Sequence, residues 1–204
     1  MRNRANLKTS VIIFIFFVSM ACSIAGGNAI YVDDDATAGG NGESWKNAYK
    51  YLQDALAVAT NGDEIFVGKG TYRPDEDSAN PSGTGNRQAT FQLKNGVALR
   101  GGYAGFGQPD PDARDPNTHE TILSGDLLGN DGPNFANNAE NSYHVVTGNG
   151  TNATTVLDGL TITAGNANGI GWENHGGGMG NSGGNLTVTN CAFIENSAEF
   201  GGGM

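Results

Sequence analysis

The chain has 204 residues and carries 21 Asp and Glu against 11 Lys and Arg, a formal net charge of −10. Such a surface repels polyanions, so nucleic acid is excluded as a partner, and an acidic polysaccharide would need a bridging cation. Gly accounts for 33 residues, about twice the ~7% of average proteins, and it falls between short β-branched and aromatic runs rather than in a Gly-X-Y period, which excludes collagen and points to many tight turns.

The first segment reads as an export signal. Arg2, Arg4 and Lys8 form a basic start, Val11 to Val18 is an apolar centre, and small residues follow at Ala21, Ser23, Ala25 and Gly26. The apolar stretch is shorter than the ~18 residues of a membrane-spanning helix, so residues 1–25 are expected to be removed by cleavage after Ala25 or Ala29. The mature chain would then carry a net charge of −13 and no transmembrane helix. A lipid anchor at Cys22 is the minority alternative, because Ser19-Met20-Ala21-Cys22 resembles a lipoprotein signal box without its preferred Leu. Without Cys22, Cys191 is the sole cysteine, and its apolar surroundings suit a small buried residue rather than a reactive thiol.

Ala29-Ile30-Tyr31-Val32 predicts a short strand, followed by Asp33-Asp34-Asp35 and a Gly-rich loop. A helix is expected over 44–59: Ser44 is a good N-cap, Trp45, Ala48, Leu52, Ala55, Leu56 and Ala59 share one face, and Gly62 is placed to end it. Asp63 to Tyr72 returns as a strand. Residues 73–90 read as an excursion without a core of its own. Short strands then recur around Phe91, Leu99, Ile122, Val145, Leu157, Ile162 and Val188, bounded by Gly and Asn turns. Asn95-Gly96 suits a hairpin, but a repeat argues otherwise.

Gly-Gly-Gly-Met occurs at Gly176–Met179 and again at Gly201–Met204, 25 residues on, each time after a strand-like run and an Asn. Asn166 and Asn196 are 30 residues apart, so the first copy is expected to hold a five-residue insertion within Asn168–Asn174. The predicted fold is therefore all-β: a parallel β-helix in which equivalent strands stack, Leu160 and Ile162 sharing columns with Ala192 and Ile194. The N-terminal part, residues 26–72 with the helix 44–59, would cap coils running over 73–204. A chain that ends inside its repeat reads as incomplete at its C-terminus.

Phe193-Ile194-Glu195-Asn196 followed by Gly201-Gly202-Gly203-Met204 resembles the Phe-x-x-Asn plus Gly-Gly-Ala-aliphatic repeat of polymorphic outer membrane proteins, with Gly203 in place of Ala. Ile30-Tyr31-Val32-Asp33 through Trp45, Leu52 to Leu56 and Gly62 to Tyr72 resembles the opening of secreted right-handed parallel β-helix proteins of pectin-lyase-like architecture. The resemblance implies a right-handed solenoid that is bacterial, exported and associated with the cell surface or outer membrane, and it supplies no activity.

Two constellations suggest chemistry. Asp126, Asn130 and Asp131 place three oxygen-bearing side chains on a Gly-rich turn, a candidate Ca2+ site that lacks the spacing and closing Glu of an EF-hand; local turn contacts are the simpler role. Asp33-Asp34-Asp35 is a second acidic run, more simply solvated. Trp172, beside Glu173 and His175 in the insertion, is the candidate contact for a sugar, and an apolar lid folded back over the solenoid is its simpler role. Asp126, Asp158, Glu173, Glu195 and Arg100 are carboxylates and a cation that a hydrolase or lyase would need on one face, and spacing does not bring them together. His119, His144 and His175 are scattered, and His144 lies in a strand where a structural role is expected. The function these features favour is structural, adhesive or glycan-binding at the cell surface; the alternative is a polysaccharide lyase or glycoside hydrolase with active coils partly beyond residue 204.

Overall fold

A computed structural model describes residues 26–204. The expected export signal, residues 1–25, with Cys22 and the expected cleavage position after Ala25, lies outside the described residues. Among the described residues no helix is long and apolar enough to cross a membrane.

The strands are two to six residues long and all pair in parallel. Five form the largest sheet, Ala29–Val32, Glu64–Gly68, Ala98–Tyr103, Val156–Asp158 and Thr187–Thr189, paired in that order. Four form a second, Gly70–Tyr72, Thr121–Ser124, Thr161–Thr163 and Ala192–Ile194. Phe91–Gln92, Val146–Thr147 and Met179–Gly180 make a third, and Asn166–Ala167 pairs alone with Ser197–Ala198. Alternation sets which side chains enter the core. In the first sheet Ile30, Ile65, Leu99, Leu157 and Val188 lie opposite one another in register; in the second Tyr72, Leu123, Ile162 and Phe193 do so; and in the third Phe91, Val146 and Met179. These rows meet in one apolar core.

The all-β, right-handed parallel β-helix expected from the sequence is not what the chain forms. It is a mixed α/β arrangement with one α-helix and several small parallel sheets rather than a single solenoid. Most strands are too short to make a continuous wall, the pairing of Glu64–Gly68 with Ala98–Tyr103 shifts register between Phe66 and Gly68, and the sheets take in unequal numbers of strands. The predicted helix over 44–59 is also corrected. Trp45–Asn47 is a single 3-10 turn capped by the Ser44 side chain, and the α-helix is Leu52–Val58. Between them the backbone extends so that the Tyr49 amide donates to the Tyr31 carbonyl (2.9 Å) while its own carbonyl accepts from Asp33 (2.8 Å). Pairing with the first strand outcompeted continuation of the helix.

The predicted columns are displaced by one residue. Thr161 lies opposite Ala192, Ile162 opposite Phe193 and Thr163 opposite Ile194, and Asn166 opposite Ser197 rather than Asn196. A one-residue slip exchanges the two faces of a strand. Asn196 instead sits under the turn, where Oδ1 accepts from the Gly165 amide (2.9 Å) and Nδ2 donates to the Ile162 carbonyl (2.8 Å). Asn166 to Ser197 spans 31 residues while His175 to Phe200 spans 25, so the insertion is six residues. The two Gly-Gly-Gly-Met copies lie directly against each other, the amides of Gly177, Gly178 and Met179 donating to the carbonyls of Gly201, Gly202 and Gly203.

Candidate functional site

The insertion after Ala167 carries the first site. Its 3-10 turn Gly171–Asn174 raises Trp172 over the third sheet, where the Gly180 position makes room: a Cβ there would lie 3.0 Å from the indole and 3.1 Å from the His144 ring. Trp172 and His175 stack with centroids 6.2 Å apart and planes within 10°, and His175 stacks on Phe200 at 4.9 Å. Trp172 also leans on His144 at 5.5 Å. The indole is 41% exposed and Phe200 53%, so the column covers part of the third sheet and stays open to solvent along its side. Beside it lies a cavity of about 380 Å³ lined by Trp172, His175, Phe200, Met179, Met204 and Asn181.

Two polar groups next to these rings have no partner. His144 is buried, and its Nδ1 lies 3.0 Å from the Gly176 carbonyl, which places the ring proton on Nδ1 and leaves Nε2 as an acceptor. Nε2 has no hydrogen bond, and neither has Oδ1 of Asn181, whose Nδ2 donates to the Gly184 carbonyl. Both atoms are shielded from solvent, and of the two residues only Asn181 lines the cavity. Of the three residues expected to contact a ligand, Trp172 and His175 share the column. Glu173 points elsewhere: its Oε1 accepts from Gln88 Nε2 at 2.8 Å and ties the insertion to the 86–88 segment. Phe200, His144 and Asn181 were not foreseen, although the 25-residue repeat relates Phe200 to His175.

The second site gathers carboxylates. After the strand Thr121–Ser124 the chain turns so that both oxygens of Asp126 accept backbone amides, from Asn130 at 3.1 Å and Asp131 at 3.0 Å. Asp131 accepts from Asn141 Nδ2 at 2.6 Å. Oxygens of Asp126, Asp131 and Glu140 lie within 4.8 Å of one another. Burial, then the charge of Asp126, holds the Asp131 carboxyl above its ordinary range; Glu140 is raised by burial and by both aspartates. Asp126 and Asp131 line a cavity of about 370 Å³ with Glu195, Ser124, Thr163 and the half-exposed ring of Phe135. No Lys or Arg lines it. Asn130, expected beside the two aspartates, has an exposed side chain and serves through its backbone, its carbonyl accepting from Asn137. Glu140 takes the third place, having arrived from ten residues downstream.

The remaining candidates are structural. In Asp33-Asp34-Asp35, Asp33 accepts from the amides of Asp35 and Phe106 and Asp34 from that of Thr71. Arg100 lies between Glu64 (3.0 Å) and Asp158 (3.1 Å), and Arg114 reaches the same Asp158 oxygen at 2.9 Å; neighbouring strands are thereby tied across the outer face. Cys191 is a free thiol, partly buried, against the carbonyls of Leu157 and Thr189. Comparison with protein-family models, with curated proteins and with solved structures finds no match for this chain.

Proposed function

We propose that the protein is an exported glycan-binding protein acting at the cell surface, and that it receives a neutral sugar chain along the Trp172–His175–Phe200 column. The observation that carries this reading is the column of exposed aromatic rings, Trp172, His175 and Phe200, along one cavity whose lining also includes the Asn181 side chain. A sugar offers C–H faces to the rings and hydroxyls to the polar edge of the cavity at Asn181, the combination of apolar wall and few polar groups by which small-ligand sites select. The cavity lining contains no Asp, Glu, Lys or Arg, which favours a neutral ligand over a charged one and binding over acid–base cleavage at this place. Export rests on the basic and apolar pattern of residues 1–25.

A panel of immobilised neutral and acidic polysaccharides tests the reading. Retention is expected on a neutral polymer, with Trp172→Ala and Phe200→Ala each weakening it by about tenfold, as loss of an aromatic anchor does. Absence of retention on every polymer, or full retention by both variants, would overturn it. Appearance of new reducing or unsaturated ends would favour the hydrolase or lyase instead.

A further inference from the structure

Three consecutive residues, Glu140, Asn141 and Ser142, each carry a solvent-shielded oxygen for which the fold supplies no hydrogen-bond donor: Oε1, Oδ1 and Oγ. Asn141 is 1% exposed and Ser142 fully buried. Buried polar atoms are rarely left alone, and each one calls for an explanation. Two of the three residues reach the carboxylates, Glu140 as a member of the cluster and Asn141 through its amide. The Asn141 amide end lies against Asp131, with Nδ2 at 2.6 Å and a second hydrogen bond to the Ala164 carbonyl, so its oxygen is the one atom of that group left over. Glu140 brings its own shielded oxygen to Asp126 and Asp131. Arg73, which touches this loop, donates to the Asp126 backbone carbonyl and pairs with Glu76, leaving the carboxylates uncompensated by it.

We propose that Asp126, Asp131 and Glu140, with the Asn141 side-chain oxygen, hold a Ca2+ ion. The donor set is oxygen only, three carboxylates and a neutral amide, which suits a hard cation with an adaptable coordination number. The loop is prepared for it: Asp126 is oriented by two backbone amides and Asp131 by Asn141, so the carboxylates are fixed without an ion and repel each other until one arrives. Glu195, on the cavity wall, adds to the field that draws a cation in. The site stands independently of the sugar column, and the ion alone probes it.

Calorimetric titration of the metal-stripped full chain with CaCl2, beside thermal melts with and without Ca2+, decides the matter. One saturable site is expected with a dissociation constant of about 0.1–1 mM, the range of extracellular Ca2+ modules, together with a higher melting temperature. Glu140→Gln and Asp131→Asn keep size and polarity while removing one charge each, and each is expected to weaken binding by about tenfold or more. The control Asp110→Asn, outside the cluster, should bind like the parent. No saturable binding up to about 10 mM Ca2+, well above that range, would overturn the proposal, and so would equal affinity in both cluster variants, which would locate the ion elsewhere. A parent indifferent to Ca2+ while Glu140→Gln melts higher would also overturn it, by showing that the shielded oxygens are satisfied by protons.

Discussion

Gly165 has a negative φ, so conformational freedom is not why a glycine stands there; space is. A Cβ at this position would lie 1.9 Å from the Gly177 carbonyl oxygen, so Gly165→Ala must push two backbone segments apart. The expected loss is about 1–3 kcal/mol, towards the upper end, because the obstacle is main chain rather than a side chain that can turn away; a urea midpoint measures it. Asp158 is the second informative residue. Burial raises its carboxyl, but hydrogen bonds from Asn190 and Thr189 and the charges of Arg114 and Arg100 outweigh this and leave it below 3.8. Asp63 is lowered too, by the amides of Thr60 and Asn28. Asp33 and Asp34 go the other way, raised above 3.8 chiefly by burial. The signs define a window. Between 3.8 and their raised values Asp33 and Asp34 bind more protons folded than unfolded, so stability increases as pH falls through that range; Asp63 and Asp158 stabilise above 3.8 and lose that contribution as pH falls below it. Denaturation followed against pH without Ca2+ is therefore expected to show maximal stability in mild acid, just above 3.8, with a decline on both sides.

Among elements, the rows of the core make the sharpest prediction. Ile162 is fully buried between Leu123 and Phe193, so Ile162→Ala should cost about 2–5 kcal/mol in transfer and cavity terms, whereas Ile194, on the neighbouring strand and 48% exposed, should tolerate the change within about 0.5 kcal/mol. A reader of the sequence alone would have assigned Ile162 and Ile194 the same fate. The Asn residues invited alignment of Asn166 with Asn196, but the pairing is set by Ile162 meeting Phe193, because burying the larger apolar row outweighs laddering two amides. Strand positions were readable from β-branched runs and glycines. Pairing partners were not, since register depends on contacts some 31 residues away. The helix followed the same logic: the apolar face from Trp45 to Ala59 was visible, and the break at Ala48–Tyr51 came from a strand with which Tyr49 pairs.

At the scale of the whole molecule, the two candidate sites arise from different irregularities. The aromatic column stands on an insertion, the carboxylate cluster on an excursion between strands, and neither could be assembled from local spacing: Glu140 joins Asp126 across thirteen intervening positions of chain, and Phe200 joins Trp172 only because His175 pairs with it. Trp172 and His175 stood out as ring side chains in a polar, Gly-rich insertion, where an apolar lid was the simpler reading; their stacking with Phe200 needed coordinates. His144 was read as structural; the ring is buried with one nitrogen facing the Gly176 carbonyl, and the unpartnered state of the other needed coordinates to find.

The six-residue insertion is flanked on one side by Ala167 opposite Ala198 and on the other by His175 opposite Phe200. Both pairings are complete without any residue between them. The segment 168–174 is thus hung from two fixed points whose separation does not depend on its length or composition, and closing a somewhat longer loop there costs little, on the order of 0.6 kcal/mol for each doubling. The exposed surface can be rewritten in this interval while the framework beneath keeps its register, which makes the place a socket for exchangeable loops.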